Sequence, residues 1–573
     1  MGKNKTNILN RLLVISILSV ATGIVSAQDI EQVAKSKPVK ITGGLSANTS
    51  LYGAWGMDSR QDPFFWQMVA NMNFNFWGVV DMPFSAYFAK ENVRYQQPSF
   101  SQFGMSPHYK SVTLHLGYRN MTFSPYSLAG LTFLGAGIEF QPKDSWIKAN
   151  AMYGRFFRAI SATDSAQNRF RDPSYERWGG GFSVTASNKK NELSLIVFKA
   201  ADKPGSIPDP PASYGIAPAE NLVIGIGAKA QVIPQIFVSA DYTLSAYTAD
   251  LRTEEKDFQK YTYLNNLGGL FTPRYSSSLH KALETSVNYN GGTFNAGITY
   301  KRIDPGYASL GSTFIENDLE DVLLNLSKSF ANNKFTLSGN VGQQRNNLDG
   351  DKQTENKRVI GSANAAWSVN QSLNINANYS NFTSNTQPTL INFTDSIKYF
   401  QINENTSLSL NYNKGTAKLR HSVSLMVALQ KATSLNRSAT QSLETNNNMV
   451  NTSVSYQAGF PQKGLAATTS FQNSVFKNGL TTTRNYGPNI ALNKELLKNK
   501  LKLTLSYGYN KVQLSGEGKN SGTQIIRFNS DFQAGKHQSL HLQTSYMRRK
   551  DAEKTGTLAP RELQASLSYQ FTF

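Results

Sequence analysis

The sequence closes with the stretch RELQASLSYQFTF, residues 561–573. Apolar and polar residues alternate along it: Leu563, Ala565, Leu567, Tyr569, Phe571 and Phe573 are separated by Gln564, Ser566, Ser568, Gln570 and Thr572. Strict alternation predicts a β-strand with one apolar face and one polar face. In a soluble sandwich the apolar face meets a second sheet, whereas in an outer-membrane barrel it meets lipid and the polar face lines the lumen.

The same alternation recurs along the chain, for example in GTFNAGITYKR (292–302), QSLNINANYSNF (371–382) and NKLKLTLSYGYNK (499–511). The connections between these segments alternate in length, with short turns such as 331–334 and long loops such as 248–278. Membrane barrels have this asymmetry, and a soluble sandwich has no reason for it. We therefore predict an all-β fold: a single large transmembrane antiparallel β-barrel of about 24 strands, roughly 22 to 26, with short periplasmic turns and long extracellular loops.

The N-terminal residues read as an export signal. The basic residues Lys3, Lys5 and Arg11 come before the apolar stretch LLVISILSVATGIVSA. Val25 and Ala27 fit a small-residue cleavage site. We predict a cleaved signal peptide over 1–27, a short periplasmic segment over 28–39 and the barrel over 40–573. The predicted location is the outer membrane.

Composition narrows the classes of function. The chain has 573 residues and a formal charge of +20. It has no Cys, which excludes a disulfide framework and thiolate chemistry. A basic exported protein attracts anions, so outer-membrane lipid and the phosphates of surface glycolipid are predicted partners, and nucleic acid is not. The 26 Tyr and 33 Phe residues suit the aromatic girdles of a barrel.

Two segments carry a family resemblance. The ending Tyr569, Phe571 and Phe573 resembles the C-terminal signal of bacterial outer-membrane barrels, which implies recognition by the barrel assembly machinery during insertion. The stretch GMSPHYKSVTLHLGYRNMTFSPYSLAGLTFLGAGIEF (104–140) resembles a segment of large Bacteroidota outer-membrane barrels of poorly defined role.

The strand count raises the question of what fills the lumen. A direct count gives about 25 candidates, an odd number, so either 111–118 or the first candidate near 40–56 is expected to lie outside the wall. A pore of about 24 strands would leak unless it were filled. The aromatic segment 94–130 is the first candidate for a loop folded into the lumen, followed by 200–220 and 248–278. The alternative is a lipoprotein or plug partner held in the lumen.

No constellation of residues points to catalysis. The six His residues are scattered, no metal-ligand spacing occurs, and no G-x-S-x-G motif is present, so we predict no enzyme, no metal and no cofactor. We predict a porin-like or partner-gated solute channel with a bias toward anions. The first alternative is an assembly, secretion or scaffold component whose lumen holds a protein or lipid. The second, less favoured alternative is an outer-membrane hydrolase. The predicted lumen residues are Arg94, Arg119, Tyr126, Lys301, Lys418, Arg420, Lys500 and Lys502.

Overall fold

The computed structural model describes most of the chain from residue 37 to residue 573. The residues outside the description are 1–36, 91–101, 144, 163–172, 209–213, 260–261, 263–264, 266–268, 353, 389–397, 438–441, 480, 516–519 and 552–558. The predicted signal peptide and most of segment 28–39 therefore lie outside the described residues, as does Arg94.

The described chain is built almost entirely from β-strands. In order they are β1 (Val39–Trp55), β2 (Phe64–Phe76), β3 (Val80–Ala89), β4 (Gln102–Met105), β5 (His108–Tyr109), β6 (Val112–Thr122), β7 (Ala129–Phe140), β8 (Ile147–Phe157), β9 (Arg177–Ser187), β10 (Asn191–Asp202), β11 (Glu220–Ile233), β12 (Ile236–Thr248), β13 (Ser277–Asn290), β14 (Phe294–Ile303), β15 (Leu319–Phe330), β16 (Phe335–Arg345), β17 (Thr354–Ser368), β18 (Leu373–Pro388), β19 (Lys398–Gly415), β20 (Arg420–Arg437), β21 (Ser442–Phe460), β22 (Leu465–Asn478), β23 (Thr481–Leu496), β24 (Leu501–Leu514), β25 (Asn520–Gln533), β26 (Gln538–Asp551) and β27 (Arg561–Thr572). Two 3-10 turns, Pro204–Ser206 and Pro461–Lys463, interrupt the connections. No helix in the described part of the chain is long and apolar enough to cross a membrane.

The sheet closes on itself. Each strand pairs antiparallel with its neighbours in sequence, and β27 pairs with β1 from Gly44↔Thr572 to Trp55↔Arg561. The short segments β4 and β5 share one place in the wall, between β3 and β6. The 27 segments thus form a closed barrel of 26 strands with no free edge, which confirms the predicted fold at the upper end of its strand range.

The two rims differ in the length of their connections. One rim carries turns such as Ala331–Lys334, whose Ala331, Asn332 and Asn333 have positive φ, and we call it the short-turn rim. The other carries connections such as 203–219 and 249–276, and we call it the long-loop rim. The predicted alternation is confirmed, with a short connection at 479–480 on the long-loop rim as an exception.

The outward face of the wall is apolar and bounded by aromatic rings. Alternate aliphatic side chains such as Leu195, Ile226 and Leu505 are exposed along the middle of the strands. Exposed aromatic side chains lie outward near both rims: Trp77, Trp146, Trp367 and Phe573 at the short-turn rim, and Trp55, Phe64, Phe103 and Trp178 at the long-loop rim. An apolar band of this extent, flanked by aromatic girdles, is the surface that a bilayer covers.

The pairing corrects the interpretation of 94–130 and of the strand parity. Both disputed segments lie in the wall, since β1 joins β27 to β2, and β6 pairs with β7 over Val112–Thr122. The aromatic side chain of Phe103 faces outward, where its ring meets that of Tyr118 at 6.4 Å between centroids. The aromatic residues that suggested an inward fold therefore belong in part to the girdle. Among the described residues of this stretch, 102–130, only 123–128 lie inside the barrel.

The connection 249–276 also differs from its prediction. Phe271 is buried against Leu222 and Ala246, whose register positions face outward, and its ring stacks on Phe258 at 6.2 Å. The described part of this connection therefore packs on the outer face of β11 to β13 near the long-loop rim. The prediction places the apolar side chains of this loop in the lumen, whereas they are buried against the apolar outward face of the wall.

The last strand gives a first prediction. The Phe573 backbone N–H donates to the Gly43 carbonyl at 2.9 Å, and its ring meets that of Phe571 edge-on at 5.0 Å. We expect Phe573→Ala to slow insertion because it removes an outward ring at the seam where β27 joins β1. The folded fraction, read as the heat-modifiable band on a denaturing gel over time, measures the effect. Ser568→Thr on the inward face is the control, and equal insertion of both variants would contradict the role of the terminal ring.

Candidate functional site: a constriction inside the barrel

Two connections from the long-loop rim meet inside the barrel. Residues 123–128 and 304–318, which we call the constriction loops, are joined by hydrogen bonds. The Ala129 N–H donates to the Gly311 carbonyl at 3.0 Å. The Ser309 and Tyr307 hydroxyls donate to the carbonyls of Ser127 and Tyr126, each at 2.6 Å. Because the two connections are about 180 residues apart in sequence, their contact fixes one side of the lumen.

Glycines allow the loop 304–318 to approach the wall. Gly306 has a φ of +76°, and a Cβ at this position would lie 2.9 Å from the ring of His280. A Cβ at Gly311 would lie 2.7 Å from the ring of Phe198 and 2.9 Å from the Ser127 carbonyl. Side chains at these positions would displace the loop from the wall.

An apolar cluster supports the constriction loops from below. Phe156 lies edge-on to both Phe133 and Phe198, with ring centroids 6.2 and 5.9 Å apart. Leu128 and Leu310, one from each constriction loop, are buried in the same cluster. These contacts remove apolar side chains from the water of the lumen, and this burial stabilises the inward position of both loops.

A buried amide fixes the loop 304–318 to strands β11 and β12. The Asn221 side chain is fully buried, and its amide donates to the Ser245 hydroxyl at 2.8 Å and to the Ala246 carbonyl at 3.0 Å. Its carbonyl oxygen accepts a hydrogen bond from the Leu310 N–H at 3.2 Å. The Ser245 hydroxyl donates in turn to the Ala308 carbonyl at 2.6 Å. A buried polar network that is satisfied in this way holds one geometry.

The far end of the loop 304–318 is anchored by Asp318, just before β15. Lys352 forms an ion pair with its carboxylate, and the Leu348 N–H donates to it at 2.9 Å. Burial favours the neutral form of Asp318, but the hydrogen bonds from Lys352 and from the backbone outweigh it, so the pKa of this carboxyl is lowered. The anchor therefore persists as the pH falls through the usual range of an aspartate, and is lost only below it.

Charged side chains line the inner wall beneath the constriction. Asp241, Glu284, Lys301 and Asp321 are consecutive cross-strand partners on β12 to β15, all in the inward register. The Tyr126 hydroxyl donates to the Glu284 carboxylate, and the Lys301 ammonium lies 5.9 Å from the centre of the Tyr126 ring. Burial and the Glu284 carboxylate raise the pKa of Tyr126, which keeps its hydroxyl a donor. Lys301 thus lies between the carboxylates of Glu284 and Asp321, and Asp241 follows beyond Glu284 on β12.

A second anchor holds the connection 203–219. The Arg177 guanidinium binds Asp202 through two parallel hydrogen bonds of 2.8 and 2.9 Å. The same carboxylate accepts a hydrogen bond from the Ala219 N–H at 3.0 Å, where the connection rejoins the wall. Asp202 is only 5% exposed, so its charge is compensated by this pair and not by water.

Two polar cavities lie on the inner wall from β13 to β20, as far as the described residues show. A cavity of 470 Å³ on the inner face of β13 to β17 is lined by more asparagines than any other residue type, among them Asn288, Asn295, Asn325, Asn340 and Asn364. A cavity of 370 Å³ follows on β17 to β20, with Asn378, Asn405 and Gln430. Within the described residues, no group of three His, Cys, Asp or Glu side chains could hold a metal ion.

The structure brings together some of the predicted lumen residues and separates others. Tyr126 and Lys301 lie at the constriction. Arg119 faces inward elsewhere on the wall and donates to the Ser85 hydroxyl at 2.7 Å. Lys502 faces inward and pairs with Glu495 at 3.3 Å.

The others lie at the short-turn rim. Arg420 opens β20 in the inward register beside this rim. Lys418 and Lys500 lie in the turns before β20 and β24 and do not project from the wall. Sequence reasoning missed Tyr307, Ser309 and Asn221, because their role depends on contacts between distant segments.

The closed wall, the outward apolar band with its girdles and the polar interior define a large outer-membrane β-barrel. Proteins of known structure resemble it at low identity. The P pilus usher (PapC) translocation pore has 10% identity and a TM-score of 0.36, covering 93% of this chain and 99% of that chain. The copper transporter OprC has 10% identity and a TM-score of 0.37, covering 92% and 81%. OpdK of Pseudomonas aeruginosa, solved with vanillate, has 9% identity and a TM-score of 0.27, covering 93% and 99%.

No protein-family model and no curated protein matches the sequence. The resemblance of 104–140 to Bacteroidota barrels stays a prediction. Similarity at this level assigns neither a family nor a solute to this chain.

Proposed function

We propose that the chain is a solute channel of the outer membrane, in which the constriction loops narrow the pathway on one side of the lumen. The observation that carries this proposal is the pairing of Tyr307 and Ser309 with 126–127 inside the barrel, beside polar cavities that the described residues leave on the inner face of β13 to β20. The long-loop rim faces the outside of the cell, and both barrel ends of the chain face the periplasm. The absence of enzymatic activity stays a prediction.

Planar bilayers provide the direct test of the channel. The purified, heat-modifiable barrel should insert and conduct ions in stable steps, because a polar wall that meets water throughout supports permeation. A folded barrel that inserts and does not conduct would contradict a channel function.

The charge preference of this channel follows from the constriction. The sequence suggested an anion bias through inward cations, but Lys301 stands among Asp241, Glu284 and Asp321, and Lys502 is paired. We propose a preference for cations at this level, since a negative field raises the local concentration of cations.

Reversal potentials across a salt gradient measure this preference. Asp321→Asn should lower the cation-to-anion permeability ratio, and Lys301→Gln should raise it, because the two changes shift the local charge in opposite directions. Lys500→Gln, in a turn at the short-turn rim, is the charge-matched control and should leave the ratio unchanged. Identical permeability ratios in Asp321→Asn and Lys301→Gln would show that the charges at the constriction do not determine ion selectivity.

A second candidate function is supported by the distribution of burial. The buried apolar residues of the described chain all lie between Tyr52 and Leu319, so the inner wall from β16 onward has no apolar core packed against it in this description. A large uncovered wall suits a barrel that holds a partner protein or lipid for assembly or secretion. Purification from native membranes tests this reading: a stoichiometric partner that co-purifies and blocks conductance favours a holder over an open channel.

A further inference from the structure

The outward face of the last strands carries a group of cations at the long-loop rim. Lys511 lies near the end of β24, Arg548 and Lys550 near the end of β26, and Arg561 at the start of β27. We call these four residues the basic rim patch. They lie within a few residues of the rim on adjacent or next-adjacent strands, so they form one cluster on the wall.

The register places the basic rim patch on the lipid side of the barrel. Lys511 shares the outward register of Leu505 and Tyr507, and Arg561 shares that of Leu563 and Leu567, which are exposed apolar side chains. The cations thus follow directly above the apolar band of the same strands. At this height they meet the headgroups of the outer leaflet and not the solution in the lumen.

The patch opposes like charges across neighbouring strands. Arg548 is the direct cross-strand partner of Arg561. Lys511 and Lys550 are the partners of Gly522 from its two sides. Like charges in directly opposed positions are unfavourable unless an anion lies between them. Because Gly522 has no side chain, the Tyr509 ring lies over it.

Three of the patch cations line a shallow cavity of 420 Å³. Its lining also includes Tyr509, Asn520 and Gln524. A Cβ at Gly522 would lie 3.1 Å from the Tyr509 hydroxyl, so this hydroxyl stands over the glycine beside the cations. Ammonium, guanidinium, hydroxyl and amide groups together are donors that suit phosphate oxygens.

The patch differs from three other outward cations near this rim, which have carboxylate partners. Lys199 pairs with Glu220 at 2.7 Å, Lys357 pairs with Glu355 at 3.4 Å, and Arg345 pairs with Glu320. Within the described residues, the four patch side chains form no ion pair and no hydrogen bond, and the Arg561 Nε is shielded from water without a partner. The first three cations thus have carboxylates of the chain as partners, whereas the patch has none among the described residues.

We infer that the basic rim patch binds the phosphate groups of an anionic glycolipid in the outer leaflet. A lipid is favoured over free phosphate because the patch adjoins exposed apolar side chains that would contact acyl chains. Phosphate between Arg548 and Arg561, and between Lys511 and Lys550, would turn two repulsive contacts into charge-assisted ones. This inference does not depend on whether the barrel conducts solutes.

Native mass spectrometry of the full barrel in detergent, titrated with bis-phosphorylated lipid A, tests the inference. We expect saturable binding of lipid A that is weakened at least about a hundredfold in the variant with Lys511, Arg548, Lys550 and Arg561 all changed to Gln, since each cation near an anionic headgroup contributes several-fold. Dephosphorylated lipid A should bind the original barrel as weakly as lipid A binds the variant. Inorganic phosphate should not compete at the concentrations that saturate the lipid.

The matched control changes the same number of charges at the opposite rim. Lys418, Lys498, Lys500 and Lys536 lie exposed in short turns, and their replacement by Gln lowers the net charge equally. This control should bind lipid A like the original barrel. Equal loss in both variants would show an effect of net charge alone, and retained binding in the patch variant would overturn the site. Competition by inorganic phosphate would reassign the patch to a soluble anion. Heat modifiability of each variant confirms that it is folded.

Discussion

Replacing Gly306–Glu316 with a short Gly-Ser linker should raise the single-channel conductance of the barrel at least about twofold, because the constriction loop leaves the lumen while the wall remains. Strands β14 and β15 pair from Phe294↔Lys328 to Ile303↔Leu319 without help from this segment. The variant should therefore remain a closed, heat-modifiable barrel. Conductance in planar bilayers, measured on the heat-modifiable fraction, gives the result.

The same loop admits a smaller perturbation. Gly311→Leu places a side chain where a Cβ already approaches the Phe198 ring at 2.7 Å, so the loop must leave its position without any change in chain length. We expect an intermediate rise in conductance. Replacing Asp58–Gln61, in the exposed connection between β1 and β2, is the control and should change nothing. If both loop variants fold and conduct like the original, residues 304–318 do not narrow the pathway.

The sequence predicted the wall better than the interior, for a physical reason. Alternation along strands such as β10 and β24 reports which face meets lipid, and it depends only on neighbouring residues. The pattern failed between 102 and 122, where Gly117 adopts a φ of +86° beside Gly104 and the strand is divided between β4 and β5. The aromatic residues there suggested a loop that folds into the lumen and buries them, whereas Phe103 belongs to the outward girdle.

The candidate site shows the same limit. Tyr126 and Lys301 were identified because an aromatic loop and an inward cation are visible in the local sequence. Tyr307 and Asn221 gain their role from segments far away along the chain, and no local pattern encodes such contacts. Lys500 was misplaced for another reason: alternation continues into a turn in the sequence, although the strand itself ends at the turn.

Breaking the buried ion pair of Asp202 should produce the largest loss of stability. Asp202→Ala leaves the Arg177 guanidinium without its counter-charge and the Ala219 N–H without its acceptor, where Asp202 itself is only 5% exposed. Removal of one partner of a buried pair costs about 3–5 kcal/mol, so the free energy of unfolding should fall by that amount. Reversible urea unfolding in lipid vesicles, followed by tryptophan fluorescence, provides the measurement.

An exposed ion pair on the same inner wall is the control that distinguishes the effect of burial from the effect of charge. Lys229 and Glu192 lie 3.0 Å apart, but their side chains are 63% and 37% exposed, against 18% and 3% for Arg177 and Asp202. Glu192→Ala should therefore cost no more than about 1 kcal/mol, because water already screens that pair. The double variant Arg177→Met with Asp202→Leu should recover part of the loss of Asp202→Ala, since it removes the uncompensated charge along with its partner. Equal losses in Asp202→Ala and Glu192→Ala would mean that Asp202 does not anchor the connection 203–219 through a water-excluded pair.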